Sequence, residues 1–126
     1  MIEAHDLARS AAQAIADKQG SDVVALEVGP IIAITEVFVL ADGANVRQVR
    51  TIIDEIEHCL AAEHDRKPRS REGRDDASWV LLDYGDIVVH VFLTETRDYY
   101  GLDRLWADAP RLELDLEAPS AAPTGS

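Results

Sequence analysis

The chain has 126 residues, an ordinary size for one domain, and its 47% hydrophobic content supports a sizeable core and excludes wholesale disorder. The formal net charge is −12, from 24 acidic and 12 basic residues. This argues against general binding to DNA, RNA or an anionic membrane, which needs Lys and Arg, and favours a basic protein partner.

A single cysteine, Cys59, leaves no intrachain disulfide and no Cys-rich zinc site. Its place in a helical pattern marks it as a small core or boundary residue. The N-terminal "MIEAHDLARS" lacks the basic start and apolar run of a signal peptide. No apolar run approaches the ~20 residues of a membrane span. A cytoplasmic protein is expected.

From Ala4 to Lys18, Ala4, Leu7, Ala8, Ala11 and Ile15 form one helical stripe, and Gly20 stops it. "DVVALEV" at 22–28 is short, β-branched and bounded by Gly29-Pro30, which predicts a strand. "IAITEVFVL" at 32–40 predicts a second strand, ending in the turn-rich "ADGAN". Asn45 is suited to an N-cap. Val46, Val49, Ile53, Ile56 and Leu60 then predict a helix to about Ala62. The charged stretch at 63–78 predicts a long exposed loop.

A hairpin follows at 79–92, and a helix is expected over Thr96–Asp108. The expected order is α-β-β-α-β-β-α. It implies one α/β (α+β) domain with a mixed sheet flanked by helices over residues 1–112, and a disordered acidic and Pro-rich tail over 113–126.

Tyr84-Gly85 suits a two-residue type I′ turn. Counting outward places Asp83 opposite Asp86, Leu82 opposite Ile87, and Trp79 opposite His90. Side chains alternate between faces. Val80, Leu82, Ile87, Val89 and Val91 make a purely aliphatic core face. The other face mixes Trp79, Leu81, Asp83, Asp86, Val88, His90 and Phe92. Two carboxylates in direct opposition are unfavourable, so solvent, turn amides or a cation must offset them. The face is either turn chemistry with a satisfied sheet histidine, or a contact surface of the kind a large Trp beside a His favours.

A metal site is disfavoured. The four histidines are scattered, and His90 lies about 13 Å along the strand from Asp86 at ~3.3 Å per residue. No G-x-S-x-G elbow, P-loop or G-x-G-x-x-G occurs. The one enzyme class with any support is nucleotidyl transfer, from the Gly turn in "ADGANV" and the pair Asp83 and Asp86. The D-x-x-D spacing only approximates the D-x-D that two metals use. The last helix crowds Tyr99, Tyr100, Leu102, Leu105 and Trp106. One stripe cannot hold them all, so aromatic surface is left for an interface beside Arg97 and Arg104, unless the bulk serves only to dock a short helix.

The run "WVLLDYGDIVVHVF" followed by "RDYYGLDRLWADA" resembles the signature of the ribosomal silencing factor (Iojap) family. "DVVALEV", "TEVFVLADGANVRQV" and "REG" match in the same order, so the likeness covers roughly residues 1–110. The resemblance implies a nucleotidyltransferase-like α/β fold without an established catalytic role or cofactor, and a homodimer. It implies binding to the large ribosomal subunit through ribosomal protein fourteen of that subunit. Occupying that face blocks small-subunit association and silences translation under nutrient limitation; organellar relatives serve large-subunit biogenesis.

The family's prominent positions fall on Trp79, Asp83, Gly85, Asp86, His90, Phe92, Arg97, Tyr100, Leu102, Leu105 and Trp106. Together with Tyr99, these make the expected partner-binding set, with no catalytic or metal residues. Glu27 and Glu36 stand where Asp is common, Asp103 where Glu is usual, and Ala41-Asp42-Gly43-Ala44 where Thr-Gly with a following Ser is usual. The missing hydroxyl weakens any nucleotide pocket. A large-subunit assembly role and a nucleotidyltransferase-like enzyme are the alternatives.

Overall fold

The computed structural model describes residues 2–116. In chain order the elements are α1 (Ile2–Asp17), β1 (Ser21–Glu27), α2 (Gly29–Ile32), β2 (Val37–Gly43), α3 (Val46–His64), β3 (Ser70–Glu72), β4 (Trp79–Asp83), β5 (Ile87–Leu93), α4 (Thr94–Tyr100) and α5 (Leu102–Leu105). The sheet runs β1-β2-β5-β4-β3. Only β2 and β5 pair in parallel; the other neighbours are antiparallel. This is the mixed sheet of a small α+β domain.

The expected stripes become the core. Leu7, Ala11 and Ile15 of α1 and Ile53, Ile56 and Leu60 of α3 are buried against Val39 of β2 and the aliphatic hairpin face Val80, Leu82, Ile87, Val89 and Val91. Asn45 caps α3 by accepting from the Gln48 amide at 2.8 Å. A smaller apolar cluster, built on Leu26, Val28, Leu40 and Phe92, lies on the other side, with Trp79, Leu102 and Trp106 packed against it.

Four expectations are corrected. The strand expected at 32–40 begins only at Val37. Pro30, pre-set for a helical first turn, starts α2 instead, and Ala33 at φ 65° ends it. The bend is pinned to the hairpin tip: Thr35 Oγ1 donates to the Gly85 carbonyl, and the Glu36 amide to that of Asp86. The strand also runs on through Asp42 and Gly43, which pair with Phe92 and Leu93.

The stretch at 63–78 is not a free loop. It contains β3, and α3 ties it down: Arg71 forms a two-pronged pair with Glu57, and Arg50 donates to the Arg74 carbonyl. Ala77 within it is fully buried.

The hairpin turns at Gly85-Asp86, with the Tyr84 amide donating to Ile87, not at Tyr84-Gly85. Gly85 has φ 91° but Asp86 is not left-handed, so the turn is not type I′. Trp79 therefore faces Phe92, and Leu81 faces His90. The register slides by two residues, so every side chain keeps its predicted face, but the opposition of Asp83 and Asp86 disappears.

The helix expected over 96–108 is two short helices, broken where Gly101 takes φ 61°.

The two sheet edges differ. The returning chain covers β1, with the Glu27 amide donating to Pro110 at 2.7 Å and the Leu112 amide to Ala25 at 2.9 Å. At the other side β3 ends the sheet, with no described strand beyond it. The expected tail at 113–126 lies from residue 117 onward outside the described residues. Before that, Leu114 packs on the main core and Glu113 accepts from Arg9.

Candidate partner-binding surface

The second face of the sheet carries the expected site residues, but at different depths. Phe92 is fully buried. His90 is 6% exposed and sits between Phe38, edge-on at 4.8 Å, and Trp79, whose indole Nε1–H donates to His90 Nδ1 at 3.2 Å. An indole N–H can only donate, so Nδ1 accepts and the neutral ring carries its proton on Nε2. Burial pushes the imidazole down to about 4, so at neutral pH it is an uncharged donor. Nε2 is buried and has no hydrogen-bond partner among the described residues.

Trp79 is half-buried and packs on Phe92 at 5.0 Å and Tyr100 at 4.9 Å. The breaking of the last helix decides what is left outside. Trp106 turns in and meets Phe38 edge-to-face at 5.3 Å, and Leu102 joins the same cluster. Tyr99 is 80% exposed and Leu105 72%, and Tyr100 is also exposed. Trp79, Tyr99 and Tyr100 thus form a continuous aromatic surface, with Tyr99 and Tyr100 edge-to-face at 5.1 Å.

Arg97 belongs to the scaffold. Its guanidinium is buried, donating to Asp42 at 2.8 Å, the Asp22 carbonyl at 2.7 Å and, two-pronged, to Asp103. Burial opposes its charge, but the bonds to Asp103 and Asp42 prevail and hold its pKa above the usual range. Asp103 is held below the usual carboxylate range by the same bond. Arg97 thereby ties α4 to β2 and to the start of α5.

Asp83 and Asp86 sit at the hairpin tip, about 13 Å along β4 from Trp79 at ~3.3 Å per residue. Asp83 accepts from the Gly85 amide at 2.8 Å and meets Arg69 at 3.4 Å. Asp86 is clasped by Arg66 at 2.8 and 3.3 Å. Arg66 reaches it because Asp65, at φ 56°, turns the chain out of α3. Both carboxylates are spoken for by intramolecular cations, and they do not join the aromatic surface.

The turn at "ADGANV" is likewise used internally: Asn45 and Gln48 side chains accept the Gln48 and Ala44 amides. Among the described residues no three His, Cys, Asp or Glu groups converge on a metal position, and no helix is long and apolar enough to cross a membrane. Cys59 is partly buried, and burial with a hydrogen bond to Glu55 pushes its thiol up to about 12.

The sequence reading missed a groove of about 260 Å³ on this face. Ile34, Phe38, Leu81, Val88 and His90 line it, with Arg69, Ser70, Glu72 and Asp83 towards β3. Leu81 and Val88 stood on the mixed hairpin face. Ile34, now 82% exposed, lay inside a run whose composition reads as buried strand, and no local signal distinguished it.

The fold and the chain both have known relatives. The model of the family described as "Ribosomal silencing factor during starvation" matches residues 1–126. Ribosomal silencing factor RsfS of Bacillus subtilis is 42% identical over 84% of this chain and 89% of its own. The mouse protein named "Mitochondrial assembly of ribosomal large subunit protein 1" is 32% identical over 68% of this chain and 38% of its own. A crystal structure of a Chromobacterium violaceum protein superposes with a TM-score of 0.77 at 28% identity, covering 91% of this chain and 94% of the other. This chain therefore belongs to the ribosomal silencing factor family.

Proposed function

We propose that this protein represses translation by binding the large ribosomal subunit through its ribosomal protein fourteen, where it sterically bars the small subunit. It acts in the cytoplasm, as a homodimer, and makes and breaks no covalent bond. The observation that carries the reading, given the family, is the aromatic surface of Trp79, Tyr99 and Tyr100 with Leu105 beside it on α5. Exposed Tyr and half-buried Trp are the residue types that anchor protein interfaces. They lie on a chain of net charge −12, which is attracted to a basic ribosomal protein and repelled by the surrounding RNA phosphates. His90 contributes by holding Trp79 from beneath, Asp83 and Asp86 by shaping the hairpin tip, and Phe92, Arg97, Leu102 and Trp106 by holding α4 and α5 in place.

Sedimentation in a sucrose gradient with isolated large and small subunits tests this. The protein should travel with the large subunit and reduce re-formation of whole ribosomes. A protein that stays at the top of the gradient, with subunit joining untouched, overturns the proposal. The name of the mouse relative favours a second reading, a factor in large-subunit assembly. It would use the same contact, and accumulation of immature large subunits on depletion would reveal it.

A further inference from the structure

The geometry points to the groove between the α2 bend and β3 as a second docking element, taking an extended segment of a basic protein. One apolar side chain enters between Ile34, Phe38, Leu81 and Val88, and a carbonyl oxygen of the segment accepts the His90 Nε2–H. The inference rests on the ribosome-binding reading and adds where and how the protein partner is held.

Three observations converge. First, the buried donor Nε2–H has no hydrogen-bond partner among the described residues, and a buried polar group left unpaired is destabilising. Trp79 holds the ring's other nitrogen and does not line the groove, whereas His90 does. His90 is thus part of the groove wall, with Nε2 covered in the free chain until a segment enters. Second, Ile34 stands at the lip of the groove and is 82% exposed. Ile34 and Ile32 both line the groove from a bend pinned to the hairpin tip, so the lip is apolar. Third, the groove runs up to β3, the open edge of the sheet. An extended segment can continue the backbone pairing of such an edge while alternate side chains drop into the groove.

The charge selects the sign of the occupant. Arg69 is drawn to Asp83, which leaves Glu72 unbalanced at the rim of a chain of net charge −12.

The test compares the full chain with Ile34→Glu and His90→Phe for binding to isolated large subunits, together with hydrogen exchange with and without subunits. Ile34 is exposed, so its variant keeps the fold, as circular dichroism will show. Tenfold or greater weakening by Ile34→Glu, with slowed exchange at Ser70–Glu72 on binding, is the expected result. A folded His90→Phe that also weakens binding assigns the donor; unchanged affinity removes that part of the proposal. Wild-type binding with undiminished affinity in Ile34→Glu and no protection at β3 overturns the groove while leaving the ribosome reading intact. Absence of wild-type binding overturns both.

Discussion

At the scale of single residues, His90 carries the most consequence. Its Nδ1 must accept from Trp79, so protonating the ring would set two donors against each other in a buried place. With the native pKa pushed down to about 4 and an unfolded value near 6.5, the unfolded chain binds a proton that the folded one refuses. Stability is therefore whole above pH ~6.5, falls between ~6.5 and ~4, and loses nothing more from this group below that. The loss across the window should reach about 3 kcal/mol. Urea unfolding followed by tryptophan fluorescence at pH 7, 6, 5 and 4 measures it. His90→Gln should flatten the slope, and equal slopes in the two proteins would refute the assignment. Arg97 shows a different logic. Its charge is buried because Asp42 and Asp103 share it, so a cation expected at a contact surface fixes the scaffold instead.

Among the elements, α3 is closed at both ends by its own sequence. Asn45 caps its start, and at its end Asp65 takes φ 56° while donating to Ala61 and Leu60. Asn45→Ala should cost about 1 kcal/mol, seen as a lower urea midpoint with an unchanged slope. The same first turn holds the end of β2 and the α1–β1 turn, because Gln48 accepts from the Ala44 amide and donates to the Lys18 and Gln19 carbonyls. The break at Gly101 decides which side chains stay outside. A continuous helix over 96–108 would carry its aromatics around one cylinder. Two short helices instead turn Leu102 and Trp106 inward and leave Tyr99 and Leu105 outside.

For the whole molecule, the sheet is asymmetric. One face is sealed by α1 and α3, and one edge by residues 110–112. The other face is only half covered, and β3 stays open. The exposed aromatic surface and the groove thus both lie on that half-covered side. With net charge −12, association with a basic protein should slow steeply as salt rises, while the off-rate changes little. Stopped-flow or surface binding between 50 and 500 mM salt would show it, and a salt-independent on-rate would count against a basic partner.

The long-period patterns determined much by themselves. The stripes of α1 and α3 and the aliphatic hairpin face of Val80, Leu82, Ile87, Val89 and Val91 were legible because burial of one face repeats along each element. The family was legible in the run from Trp79 to Ala109. Tertiary structure decided the rest, for reasons that are not local. The hairpin slid by two residues because Arg66, from beyond α3, clasps Asp86 at the turn, and no short-range rule includes that cation. The strand at 32–40 gave way at its start because Thr35 and Glu36 bond the hairpin tip. The segment at 63–78 is tied down and holds the edge strand β3 because α3 supplies carboxylates for its arginines. Whether a Tyr, His or Ile on the mixed face is buried depends on which elements fold over that face, so its exposure is set only once the whole chain has packed.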